Sequence, residues 1–121
     1  MQTDIQTRGF SLTESIRDYT QRRLNQAVNF ADNHIRRVTV RLSDINGPRG
    51  GEDKRCQVTV TMARMPSVLI EDIGHDLYAS IDRALERTRL SVTRQIERKR
   101  LQLARKHPHH GYALSAAGND V

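Results

Sequence analysis

Residues 77 to about 105 write one long helix with two separate stripes, and that segment limits what the rest of the chain can become. Leu77, Ile81, Leu85, Val92 and Ile96 recur at helical spacing and share one face at about 100° per residue. That face needs a surface to bury it. Arg83, Arg87, Arg94, Arg98 and Arg105 keep a similar spacing, in steps of four, seven, four and seven, and project on average roughly 140° away from the apolar stripe. Between residues 83 and 106 there are nine Lys or Arg against two acids, Glu86 and Glu97, a local charge of +7 in a chain whose net charge is +6. The excess positive charge therefore resides in this helix, and the other residues come to about neutral.

The segments before it supply the burying surface. Val38, Val40 and Leu42 alternate with Arg37, Thr39 and Arg41, the period of a strand with one buried face. Residues 43 to 53 concentrate turn formers and are expected to end that strand. Cys56, Val58, Val60 and Met62 alternate against Gln57, Thr59 and Thr61, which predicts a strand over 55–64 in a long-looped antiparallel pair. Met65-Pro66-Ser67 breaks it, and Val68 to Ile73 forms a further strand whose Val-Leu-Ile run leaves the inward side open. Gly74-His75-Asp76 then opens the long helix, with Asp76 available to its N-terminus. Residues 1 to 8 read as a short strand with Ile5 as its clearest core candidate. A first helix follows to about Phe30 or Ala31, its apolar face being Ile16, Tyr19, Leu24, Ala27, Val28 and Ala31. Ser11 with Glu14 fits a capping box and Thr13 fits a single N-cap equally well.

This order, β-α-β-β-β-α, belongs to the α+β class, and two helices with one apolar stripe each are best buried on one face of a four-stranded sheet. With 121 residues there is material for one modest core, so one domain is expected over residues 1–106, followed by a flexible tail over 107–121 that has lost the helical period. Five aromatics and no Trp offer few stacking platforms, which favours gripping a nucleic-acid backbone over reading single-stranded bases. A pI near 10.2 points to a polyanionic partner. Nucleic acid ranks ahead of membrane, because no segment approaches the roughly 18 to 20 apolar residues of a span. The start, Met1-Gln2-Thr3-Asp4-Ile5, has neither the basic beginning nor the apolar run of a secretory signal, so a cytoplasmic protein is expected.

Chemistry-bearing patterns are weak. Cys56 is the only cysteine and falls on the buried side of its strand, where a small buried thiol is the expected state. His107, His109 and His110 support no more than an adventitious metal site. Asp82 and Glu86 are four apart, but surface ion pairs with Arg83, Arg87 and Arg89 explain them better than an acid–base pair. The Gly47-Pro48-Arg49-Gly50-Gly51 loop lacks the spacing of a phosphate loop and is not followed by a helix. No catalytic residue, metal, cofactor or small-molecule substrate is indicated, and an enzyme is the least supported class.

Two segments carry a family resemblance. Met1-Gln2 through Phe10-Ser11-Leu12-Thr13-Glu14-Ser15-Ile16-Arg17-Asp18-Tyr19 is similar to the opening of the ribosome hibernation promoting factor family, also called the ribosome-associated inhibitor or sigma-54 modulation family. Gly74-His75-Asp76-Leu77-Tyr78-Ala79-Ser80-Ile81-Asp82 resembles that family's motif at the start of the second helix. The two matches, with the same element order between them, cover residues 1 to about 105. The resemblance implies a fold similar to double-stranded RNA-binding domains. It also implies binding to the small ribosomal subunit and its rRNA in the channel of messenger and transfer RNA, silencing translation on idle ribosomes in stationary phase or stress.

By position, the resemblance places rRNA-binding cations at Arg23, Arg87, Arg94 and Arg98, while Arg83 and Arg105 extend the stripe by spacing alone. It describes the short family type, in which ribosome pairing needs a separate modulation factor, and the tail of the inhibitor branch instead opposes pairing. The residues do not choose between these. Two other readings stay open beside it: a general double-stranded RNA-binding module, and a protein-binding regulator of sigma-54 transcription.

Overall fold

The computed structural model describes residues 1–45 and 53–106. Within them the order is β1 (Gln2–Arg8), α1 (Glu14–Val28), a 3-10 segment (Asn29–His34), β2 (Ile35–Asp44), β3 (Lys54–Met62), β4 (Val68–Gly74) and α2 (Leu77–Lys106). The α+β class and the β-α-β-β-β-α order expected from the sequence are borne out. Arg49, the expected tail from His107 to Val121 and its histidines lie outside the described residues.

The sheet runs β1-β2-β3-β4, with β1 parallel to β2 and the other pairs antiparallel. A parallel neighbour needs a crossover, and α1 with the 3-10 segment supplies it. Period-two alternation sorts each strand onto two faces. Thr3, Ile5 and Thr7 pair in register with Val38, Val40 and Leu42, which pair with Val60, Val58 and Cys56, which pair with Val68, Ile70 and Asp72. This is the face covered by the helices: Leu24, Val28, Ile81, Leu85 and Val92 join the strand valines in one core, all 0–1% exposed except Val68 at 6%. At about 25 cal/mol per Å² of apolar area, burying each such side chain contributes roughly 1.5–3 kcal/mol before entropy is charged. Register also settles the ambiguous run in β4, because Val68 and Ile70 face the core while Leu69 and Ile73 face out.

Helix α1 starts at Glu14 with Thr13 as N-cap, whose Oγ1 accepts the Ile16 N–H at 3.2 Å, which decides between the two caps left open; Ser11 takes no part. Three expectations need correction at element ends. Helix α1 stops at Val28, earlier than expected, because Val28 (φ −123°, ψ 0°) and Ala31 (φ −108°, ψ 18°) leave the α region and the chain tightens into the 3-10 turn. Ser43 and Asp44, read as turn residues, continue β2 and pair with Arg55 and Lys54. Lys54 Nζ bridges Asp53 (2.9 Å) and Asp44 (3.4 Å), holding Asp53 below and Lys54 above their ordinary protonation ranges. Strand β3 correspondingly runs 54–62, not 55–64. Between β1 and α1, Gly9 has φ +91°, and an added Cβ would also sit 3.2 Å from the Asp44 carbonyl, so the turn demands glycine there.

Candidate nucleic-acid interface

Helix α2 begins after Asp76, which caps it: the orphan Tyr78 N–H donates to Asp76 Oδ1 at 3.3 Å, and the Ser80 N–H makes the first i→i−4 bond, to the Asp76 carbonyl, at 3.0 Å. Thirty residues span about 45 Å, longer than the sheet's strands of seven to ten residues. The surplus length has no core to lie on. Val92 is the last buried residue and Ile96 is half-buried, whereas Leu101 and Leu103 are 56% and 49% exposed. From Leu101 on, α2 therefore extends past the core.

The buried face of α2 is wider than its apolar stripe. Ser80, Ala84 and Thr88 are buried beside Ile81, Leu85 and Val92, and Thr88 returns its hydroxyl to the Ala84 carbonyl at 2.8 Å. Including these small residues moves the centre of the buried face, so the Arg stripe lies roughly 110° from it, on a flank and not opposite. That flank borders β4. Arg83 Nε donates to both Asp72 oxygens (3.2 and 3.0 Å), Arg83 also pairs with Asp72 at 2.9 Å through a terminal nitrogen, and Arg87 donates to the Glu71 carbonyl at 2.8 Å with Asp72 3.8 Å away. The Asp72 side chain is only 13% exposed, so these two cations anchor a nearly buried carboxylate.

The rest of the ladder is different. Arg94, Arg98 and Arg105 are exposed and have no acid partner among the described residues. Arg98 and Lys99 line a shallow cleft of about 240 Å³ with Arg64, Pro66, Gln95 and Gln102, which places the β3–β4 turn beside the helix. Arg64 holds that turn with φ +61°. The ladder is thus split into an anchored half and an unneutralised half.

Arg23 stands elsewhere, on α1. Its Nε donates to Asp82 Oδ1 at 2.9 Å and a terminal nitrogen donates to Gln26 at 2.7 Å, while the Tyr19 hydroxyl donates to the same Asp82 oxygen at 2.7 Å. The Tyr19 ring meets Tyr78 edge-on, 4.8 Å between centroids, and the Arg22 guanidinium lies 5.4 Å from its centre. This cluster clasps α1 to α2. Accordingly the Asp82 carboxylate raises the Tyr19 hydroxyl above its ordinary range, since ionising the phenol would cost that hydrogen bond. Asp82 and Glu86 do not share a site: Asp82 serves the clasp, and Glu86 is held below its usual range by Arg89, whose nitrogens donate to it at 2.6 and 3.1 Å. The expected pairing of Asp82 with its helix neighbours is corrected to a contact 59 residues away.

No sequence signal marks Asp72, and Gly74 is marked only as part of the turn and motif that open α2. Gly74 is where an added Cβ would meet the Arg83 guanidinium and the Ser80 hydroxyl, so its bareness lets Arg83 cross to Asp72. Cys56 is fully buried and its thiol is pushed up to about 12, first by burial and then by Asp72. Among the described residues no group of His, Cys, Asp and Glu is placed to hold a metal, and no helix is long and apolar enough to cross a membrane.

Fold and surface together define a small α+β module with a cationic helical flank that outruns its own core. The chain belongs to the Sigma 54 modulation protein / S30EA ribosomal protein family, whose model matches residues 3–100, as the two resembling segments implied. Its structure is similar to that of the Protein Y N-terminal domain from Thermus thermophilus, with a TM-score of 0.64 and 29% identity over 78% of this chain and 98% of that one. A ribosomal subunit interface protein from Coxiella burnetii shares the fold at 12% identity, with a TM-score of 0.67 over 78% of this chain and 96% of that one. No curated protein matches the sequence.

Proposed function

We propose that this protein is a ribosome hibernation factor that occupies the messenger and transfer RNA channel of the small ribosomal subunit. The observation that carries the reading is the split ladder: Arg94, Arg98 and Arg105 are held on a rigid helix that projects past its core, with no acid partner among the described residues. Guanidinium forks of this kind match phosphate oxygens bidentately, and unneutralised ones release counterions on binding. Arg83 and Arg87 flank the same surface with their charge partly spent on Asp72, and Arg23 keeps α1 docked so that the helices present one wall.

The mechanism is occupancy. A folded wedge gripping rRNA phosphates fills volume that messenger and transfer RNA require, so translation stops without any bond being made or broken. Family membership and the name of the Coxiella relative, a ribosomal subunit interface protein, support this reading, and a cytoplasmic location in stationary or stressed cells follows from it.

The test is co-sedimentation with purified small subunits, with transfer RNA or a ribosome-free RNA duplex added as competitor. Exclusion by transfer RNA together with weak competition by the duplex is expected. Equal affinity for the free duplex would make the chain a general double-stranded RNA-binding module. Sedimentation unchanged by reversing Arg87, Arg94 and Arg98 to Glu would leave the protein-directed role named in the family description.

A further inference from the structure

The face of the sheet turned away from the helices carries a second group of arginines that the ribosome reading does not use. Register brings three of them around one residue. Ser43 on β2 pairs with Arg8 of β1 on one side and with Arg55 of β3 on the other, and Arg41 stands two residues back along β2 on the same face. Strand spacing puts Arg8 and Arg55 about 10 Å apart across Ser43, with Arg41 about 7 Å along the strand. Ser43 is 6% exposed and forms the floor of a cleft of about 390 Å³ whose walls include Gln6, Arg8, Arg41, Arg55 and Gln57.

The partners of these guanidiniums leave their charge available. Arg41 Nε donates to Gln6 Oε1 at 3.2 Å, a neutral amide that orients the side chain without cancelling it. Arg8 has no acid partner among the described residues. Arg55 has one acid near it, Glu71 at 3.6 Å, and its own Nε is buried with no hydrogen-bond acceptor. Three cations against one acid, lining one concave cleft, describe a place for an anion with several acceptor oxygens.

We infer that Arg8, Arg41 and Arg55 form a phosphate site on the open sheet face that takes a backbone phosphodiester of RNA, so that the module is gripped from two sides. The choice of RNA as the phosphate's source rests on the ribosome reading. The site itself rests only on the register and on these contacts.

The experiment has two arms on the full chain. In the first, amide and guanidinium NMR shifts are followed during titration with an RNA oligonucleotide of about ten residues and, separately, with inorganic phosphate. Shifts at Arg8, Arg41, Ser43 and Arg55 with the oligonucleotide, abolished in Arg8→Gln/Arg41→Gln/Arg55→Gln, are expected. Shifts confined to α2, or shifts at the triad with inorganic phosphate but not with RNA, overturn the proposal. In the second arm the triple variant should bind small subunits roughly tenfold more weakly near 100 mM salt, with its log–log salt slope smaller by about two. Affinity and slope equal to wild type overturn it. Should the triple variant unfold, Arg8→Gln alone decides, with a loss of about threefold expected and no loss fatal. If the wild type fails to bind subunits, the ribosome reading falls, and the first arm still judges the sheet site.

Discussion

Neutralising the two halves of the α2 ladder should have opposite consequences. Replacing Arg83 and Arg87 with Ala removes both cations that reach Asp72, a carboxylate 13% exposed that faces inward from β4. A hydrogen bond to a charged group contributes about 1.5–3 kcal/mol, and a mostly buried carboxylate stripped of its partners costs more than an exposed one. Because Arg83 and Arg87 are themselves about half exposed (51% and 53%), solvent screens part of this, and we expect about 2 kcal/mol. For a domain of this size that lowers Tm by roughly 10 °C. Replacing Arg94 and Arg98 with Gln removes no acid contact and should change stability by under about 0.5 kcal/mol. In small-subunit binding the second pair should cost about 2 kcal/mol, near thirtyfold. Urea unfolding followed by circular dichroism and subunit co-sedimentation measure the two effects. Adding Asp72→Asn to the first double variant should return most of its lost stability, because the stranded charge is gone. Equal unfolding midpoints for the two double variants, or no rescue by Asp72→Asn, would refute the division of the ladder.

Three further outcomes follow from single contacts. Gly74→Ala should cost about 1 kcal/mol in wild type by pushing Arg83 off Asp72, and close to nothing in an Arg83→Ala background; a double-mutant cycle by urea unfolding shows whether the two effects are coupled. Tyr19 is neutral in its bond to Asp82 and its pKa is raised from 10.0, so the stability it contributes is fully present below pH 10.0 and is lost as pH climbs through the higher folded value. Unfolding midpoints measured up to about pH 11 should fall more steeply for wild type than for Tyr19→Phe, and parallel curves would dismiss the clasp. Cys56, with its thiol pushed up to about 12 and no exposure, should resist thiol reagents at neutral pH until denaturant is added; rapid labelling of the native protein would contradict its place in the core.

Much of the architecture could be read before the structure because two periods are strong. Alternation over Val38–Leu42 and Cys56–Met62 gave two strands and their buried side, and the Leu77–Ile96 spacing gave α2 and its core face. Errors gathered where short-range chemistry yields to cross-strand or cross-helix contacts. Ser43 and Asp44 have turn-forming side chains, yet pairing with Arg55 and Lys54 carries β2 through them. The buried face of α2 is wider than its apolar stripe because Ser80, Ala84 and Thr88 are small or polar and escape an apolar count, although they are buried.

Among the predicted site residues, exposure of Arg94, Arg98 and Arg105 was legible from spacing. The engagement of Arg23 with Asp82, and of Arg83 and Arg87 with Asp72, was not, since each joins residues that only the tertiary fold brings together. The arginine group around Ser43 was half visible: alternation put Arg41 on the outer face, but only register across three strands reveals Arg8 and Arg55 beside Ser43.

The central claim is that the unpaired guanidiniums of Arg94, Arg98 and Arg105 on α2 hold rRNA phosphates. Its most direct test is the salt dependence of small-subunit affinity for wild type and for Arg94→Gln/Arg98→Gln/Arg105→Gln. The account predicts weaker binding and a log–log slope shallower by about two for the variant. Superimposable lines would contradict it.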